Sequence, residues 1–293
     1  MTSSLSDLEI KGVQTPRLRV ECKQAGNDAA EAAALASGYG LTPDPWQLYV
    51  LEQWLAYGEN GKWAHGRCGL SVPRQNGKNA LIEIRELYGM IGRGEHILHT
   101  AHEVKTAPKA FKRLQHFFGE KKDDPSAKFP ELNALVKEIR STNGQEAIIL
   151  KNGGSVEFVA RSKGSARGFT IDIVIMDEAQ QMDDDALEAL GPTTRAAPLK
   201  NRQFIWTGTP PKPDENGEVF TRIRMQALEG KATRACWHEW SMNEDADLDS
   251  PIEWALSNPA LGYRLDIDVV VEDRETYSDE GFARECGGCW KFA

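Results

Sequence analysis

The spacing of hydrophobic positions changes repeatedly along the chain, and each change marks an element. Residues 27–36 are alanine-rich and favour a helix. Pro43 and Pro45 then set a boundary or rigid turn. From Trp46 onward, Leu48, Leu51, Trp54 and Leu55 fall at helical spacing. Residues 66–72 (GRCGLSV) predict a strand. The polar turn 73–77 follows, and then a helix whose apolar face is Ala80, Leu81, Ile84, Leu87, Tyr88 and Ile91. Residues 96–101 (HILHTA) predict a second buried strand. Residues 103–118 predict a helix that Pro108 either kinks or enters in its first turn. Two runs, 146–151 and 155–160, flank Asn152-Gly153-Gly154 and predict a hairpin. Residues 171–176 (IDIVIM) form the most hydrophobic strand, with Asp183 placed to cap the next helix. The strand 203–207 (QFIWT) ends at Gly208-Thr209-Pro210-Pro211.

Strands alternating with helices predict an α/β fold, with a mostly parallel sheet covered on both faces. No internal repeat interrupts the pattern. The composition shifts after about residue 212: between Ala235 and Tyr263 there are six carboxylates and no lysine or arginine. This divides the chain into an N-terminal extension (1–44), a core (45–212) and a small C-terminal lid subdomain (213–293).

Composition narrows the classes. With 293 residues, 40% hydrophobic and 27% charged, the chain is expected to be globular rather than disordered. No stretch approaches the roughly 18 apolar residues that span a bilayer. The start lacks a basic region followed by an apolar run, so no secretory signal is expected. Five scattered cysteines suggest reduced thiols and a cytosolic setting. Cys286 and Cys289 form a lone CxxC, without the two further ligands of a structural zinc. The net charge of −9 argues against coating nucleic acid by bulk charge. It leaves room for a local basic groove, and Lys105, Lys109, Lys112, Arg113, Lys121 and Lys122 cluster against one acid, Glu120. A solvated helix face would look the same.

Three segments carry candidate chemistry, and each ends a strand. The first is Val72-Pro73-Arg74-Gln75-Asn76-Gly77-Lys78-Asn79, between a strand and a helix, the context a P-loop requires. There, backbone N–H groups point at phosphate oxygens and the helix N-terminus adds a favourable dipole. Lys78 would reach the β- and γ-phosphates, and Gly77 would admit close backbone approach. Val72 stands where the pattern has its first glycine, and Asn79 replaces the Ser/Thr that holds Mg²⁺, although an asparagine oxygen can ligate a hard cation. An ordinary polar turn shares this composition. The second segment places Asp177 and Glu178 after the apolar strand, at the strand end where doubly wound sheets bind ligands. Asp177 would hold Mg²⁺, and Glu178 would orient the attacking water. A solvated strand end is the bland alternative. The third segment, Thr207-Gly208-Thr209, has hydroxyls that could sense the γ-phosphate, or forms a simple turn. Their joint occurrence, in order, points to a nucleotide hydrolase.

These residues resemble the large terminase subunit of tailed bacteriophages, the motor that pumps DNA into the capsid. Pro45-Trp46-Gln47 resembles the element before the P-loop, in which the glutamine reads the adenine. PRQNGK resembles the terminase variant of the P-loop, which commonly lacks the leading glycine. HTAHEVKTAPKAF, the stretch Ser165-Ala166-Arg167-Gly168-Phe169 leading into IDIVIMDEAQ, TGTPP and the lid signature WALSNPALG complete the match.

The resemblance implies ATP and Mg²⁺ as ligands. Glu178, Lys78 and Arg74 would be catalytic. Trp46, Gln47, Arg74, Gln75, Asn76, Gly77, Lys78, Asn79, Thr207, Gly208 and Thr209 would bind nucleotide, with Asp177 and Asn79 on the metal. It implies double-stranded DNA, a portal protein, a small terminase subunit and a homo-oligomeric ring as partners, in the host cytoplasm. An arginine from a neighbouring subunit would complete the site, with Arg140, Arg161 and Arg167 as candidates. The family continues into a nuclease domain, and this chain ends about where that domain begins, so a motor domain without nuclease activity is expected. A helicase-like translocase and an ATP-binding partner without turnover are the competing readings.

Overall fold

The computed structural model describes residues 10–102, 106–142, 144–161 and 169–293, the side chain of Phe292 apart. The strands are β1 (Leu18–Val20), β2 (Gly26–Asn27), β3 (Ala56–Tyr57), β4 (Arg67–Ser71), β5 (His96–Ala101), β6 (Val136–Arg140), β7 (Ala147–Leu150), β8 (Ser155–Ala160), β9 (Ile173–Met176), β10 (Gln203–Gly208) and β11 (Ala235–Glu239). The helices are α1 (Ala29–Gly38), α2 (Pro45–Trp54), α3 (Lys78–Gly92), α4 (Thr106–Phe118), α5 (Pro130–Asn133), α6 (Asp184–Leu190), α7 (Glu218–Leu228), α8 (Pro251–Ser257), α9 (Ile267–Thr276) and α10 (Asp279–Glu285).

Apart from the small β2–β3 pair, these strands form one sheet in the order β1-β11-β4-β10-β9-β5-β8-β7-β6. The run from β11 to β8 is parallel throughout. The edge pairs β1–β11, β8–β7 and β7–β6 are antiparallel. This is the expected α/β fold, a mostly parallel sheet flanked by helices.

Strand periodicity separates the two faces. Ile173 and Ile175 of β9 join a core with Trp46, Leu51, Leu81, Ile84 and Phe111, from the helices on one side. Val174 and Met176 join a second core with Trp206, Phe220 and Trp237 on the other. All four residues of β9 are buried, as a central parallel strand requires. Pro108 lies in the first turn of α4, where its missing N–H costs nothing. Asp183 caps α6 by accepting from the Ala186 N–H at 2.8 Å.

The boundary expected at residue 212 falls inside this sheet. β11 is fully buried and pairs in parallel with β4, so the main unit runs through Glu239. The C-terminal unit expected to be a lid lies beyond it, with its own core of Met242, Trp254, Ala260, Leu261, Leu265 and Phe282. The N-terminal segment is not a free extension. β1 closes the sheet edge, and the N–H groups of Gly12 and Val13 donate to the lid carbonyls of Leu261 and Ala255.

Candidate active site

The three motif-bearing strands, β4, β10 and β9, are neighbours in the sheet. Their C-terminal ends open on one cavity of about 370 Å³, lined by Arg74, Gln75, Gly77, Lys78, Asn79, Asp177, Glu178, Gln180, Gly208 and Thr209. Residues more than a hundred positions apart in sequence are thus brought to one place by strand order alone.

The loop before α3 is shaped by two residues in the left-handed region, Gln75 (φ 63°) and Gly77 (φ 93°). A Cβ at Gly77 would lie 3.0 Å from the Gln47 amide and 3.1 Å from the Arg264 guanidinium, so both conformation and space favour glycine there. Lys78 opens α3, and its ammonium donates back to the carbonyls of Val72 (2.8 Å) and Pro73 (3.2 Å). Burial pushes its pKa down to about 8, with Asp177 pulling the other way, so it remains largely cationic at neutral pH.

Opposite lies the acidic pair. Asp177 is buried, and its Oδ1 accepts from the Thr207 hydroxyl at 2.9 Å and from the Glu178 N–H at 3.0 Å. Glu178 has φ 53°, a left-handed conformation that costs about 1–3 kcal/mol in a residue with a side chain. Arg161, just past β8, secures this turn. It donates to the carbonyls of Asp177 (2.7 Å), Glu178 (2.9 Å) and Thr100 (3.1 Å). Burial lowers its pKa to about 10 against the pull of Asp177 and Glu178, so the guanidinium stays charged. Gly208 allows close packing: a Cβ there would sit 2.6 Å from Gln180 Oε1. That oxygen is buried and has no hydrogen-bond partner among the described residues.

Four expected nucleotide contacts do not line the cavity. Trp46 is fully buried, its ring packed edge-on against Trp240 at 5.3 Å. Gln47 spends its amide locally, donating to the Gly77 carbonyl (2.8 Å) and accepting from the Asp44 N–H (2.7 Å). It thereby caps α2 and props the loop. Asn76 turns away to the lid, donating to Asn258 Oδ1 at 2.9 Å and accepting from the Ala260 N–H at 3.0 Å. Thr207 lies behind the cavity on Asp177. Arg74 does line the cavity, and its Nε pairs with Glu285 of α10 at 2.7 Å.

No protein-family model matches the chain, and no curated protein matches it in sequence. Solved structures do. The large terminase of bacteriophage HK97 superposes with a TM-score of 0.72 at 20% identity, over 89% of this chain and 55% of that one. A large terminase of a thermophilic bacteriophage, in complex with ADP, gives 0.54 at 14% identity, over 83% and 52%. The isolated ATPase domain of a Thermus phage large terminase gives 0.53 at 16%, over 87% and 97%.

The fold is that of a terminase ATPase domain. The chain spans about half the length of the two whole large terminases, and nearly all of the isolated domain.

Within this terminase fold, several residues around the cavity carry no distinguishing signal in the sequence. Gln180 and Asn258 stand inside the motifs DEAQ and WALSNPALG without a marked role there, and Glu285 lies in no motif. Of the three candidate arginines for a neighbouring site, Arg161 is engaged on its own chain, on the carbonyls of Thr100, Asp177 and Glu178. Arg140 pairs with Glu138 and Glu157 at the sheet edge. Arg167 and Lys105 lie outside the described residues. For the CxxC pair, Cys289 is buried and Cys286 Sγ faces Asp273 Oδ2 at 3.6 Å. Among the described residues, no group of three or more His, Cys, Asp or Glu could hold a metal ion.

Proposed function

We propose that the chain is the ATPase motor unit of a phage large terminase, coupling ATP hydrolysis to translocation of double-stranded DNA into a procapsid. The observation that carries this reading is the meeting of the Lys78 loop with Asp177 and Glu178 across one cavity, at the ends of adjacent parallel strands. Loop N–H groups and Lys78 bind the β- and γ-phosphates. Glu178 orients the attacking water and accepts its proton. Thr207 fixes Asp177, and Gly208-Thr209 reports the state of the γ-phosphate to the following chain. The donor set fits a hydrated Mg²⁺ held by Asp177 and Asn79, and the ion would neutralise charge on the phosphate oxygens.

The partners under this proposal are duplex DNA, a portal protein, a small terminase subunit and further copies in a ring, in the host cytoplasm. Among the described residues no helix is long and apolar enough to cross a membrane. A helicase-type translocase is the second reading, and the likeness of the fold to large-terminase ATPase domains, at a TM-score of 0.72 for the HK97 protein, favours the terminase reading over it.

Steady-state ATPase assays with Mg²⁺ test the reading. Wild type should turn over. Lys78→Ala should lose both nucleotide binding and turnover, and Glu178→Gln should bind ATP but lose at least about 10²-fold in kcat. Wild type that binds ATP without turnover, even with DNA and portal, would refute a motor and leave an ATP-binding partner.

A further inference from the structure

At the opposite end of the sheet from the nucleotide cavity, a second cavity of about 560 Å³ is lined by Lys62, Thr194, Arg195, Ala196, Ala197, Lys200, Asn201, Arg202 and Arg234. Five of these are cations, and none is a carboxylate or an aromatic. They come from segments that lead into β4, β10 and β11, so no contiguous basic run marks them. Lys62, Arg195, Lys200 and Arg202 are exposed and form no ion pair among the described residues. In a chain of net charge −9, these unneutralised cations give the concavity a local positive potential that attracts anions.

The scaffold beneath these cations is built. The Asn201 Oδ1 accepts from the Trp63 N–H at 2.8 Å, tying the loop before β10 to the loop before β4. Asp172 Oδ1 accepts from the Leu199 N–H at 2.7 Å, and the Lys200 N–H returns to Ala197 O at 2.9 Å. Arg234 donates to the carbonyls of Trp63 and Ala64, while its own carbonyl accepts from the Gly66 N–H at 2.9 Å. The α4 surface suggested by sequence is weaker ground. There Arg113 is paired with Glu83 at 2.7 Å and Lys112 with Glu120 at 3.5 Å.

We infer that this cavity is a binding site for the sugar–phosphate backbone of a nucleic-acid duplex, contacted without sequence readout. Several cations matched to no internal acid suit successive phosphates. The lack of an aromatic platform speaks against splayed single strands. The choice of occupant rests on the translocase reading, while the cavity itself does not.

Fluorescence anisotropy of a labelled random-sequence duplex tests the site, with wild type and the triple variant Arg195→Ala/Lys200→Ala/Arg202→Ala titrated across salt. The variant should bind at least about tenfold more weakly at low salt, and the slope of log K against log salt should flatten by about 2.7, or about 0.9 for each lost phosphate contact. A Lys112→Ala/Arg113→Ala control should keep the wild-type slope. Unchanged affinity and slope in the triple variant, or a loss confined to the α4 control, would overturn the assignment. So would labelled polyglutamate that binds wild type as tightly as duplex and is lost in the triple variant, since the cavity would then be a protein-docking site. Basal ATP turnover is measured alongside and should be unaffected in the triple variant. If wild type lacks turnover, the ATPase reading fails while the anisotropy result stands independently.

Discussion

The Arg161 guanidinium holds two consecutive carbonyls, those of Asp177 and Glu178, and Glu178 sits in a left-handed conformation. Main-chain strain there persists only if surrounding contacts over-determine it. Arg161 supplies those contacts, and its charge offsets the adjacent carboxylates. Arg161→Ala should therefore misplace the Glu178 carboxylate, and a displacement near 1 Å can cost about 10²-fold in rate. The expected result is a fall of that size in kcat with KM for ATP changed only a few-fold, because the Lys78 loop is untouched. Arg161→Lys keeps the charge but not the fork of donors, so it should recover only part of the rate. A large KM change with unaltered kcat would contradict this role. None of this is legible in the sequence, because an arginine after a strand shows neither its burial nor the carbonyls it meets.

At the scale of elements, the loop before α3 and the turn after α8 share one amide. Asn76 donates to Asn258 and to the carbonyls of Pro73 and Arg74, and accepts from Ala260. Asn258 in turn donates to Trp254 O and Cys286 O, so the lid is stitched to the loop through two buried side chains. Asn76→Ala would leave buried groups unpaired, at about 1–3 kcal/mol. Urea denaturation should show the midpoint falling with an unchanged m-value. An unshifted midpoint would mean that water replaces these bonds. Motif position alone places Asn76 on phosphate, and only the packed lid shows where its side chain goes. The same contrast runs through the strands. β5, β7, β8, β9 and β10 are legible as apolar runs closed by glycine, proline or carboxylates. β1 and β6 are short edge strands with little burial, which gives a weak pattern. β11 hides because it ends in Glu239, fully buried yet compensated by Arg224 at 2.7 Å and Arg17 at 3.5 Å, from distant segments.

Across the whole molecule, charge is distributed by end: a cationic cavity at the N-terminal end of the parallel strands, and the candidate active-site cavity with the acidic C-terminal unit at the other. The lid unit meets that cavity through Glu285, whose carboxylate pairs with Arg74 of the loop before α3. Arg74 is 62% exposed and Glu285 only 12%, so the guanidinium is the partner free to leave. A polyphosphate entering the cavity competes with Glu285 for the same cation, and ATP binding would therefore release one lid contact. Because the pair is partly exposed, its worth is about 1 kcal/mol or less. Glu285→Gln should thus tighten ATP binding by up to about fivefold at low ionic strength. The gain should shrink as added salt screens the interaction. In a double-mutant cycle, Arg74→Ala should abolish the gain, since the two substitutions share one interaction. Calorimetric titration of ATP into the four proteins measures both effects. Equal affinity in wild type and Glu285→Gln at low salt would show that Arg74 does not move between the lid and the nucleotide. Additive effects in the cycle would show that any gain arises from the lid's acidic field rather than from this pair.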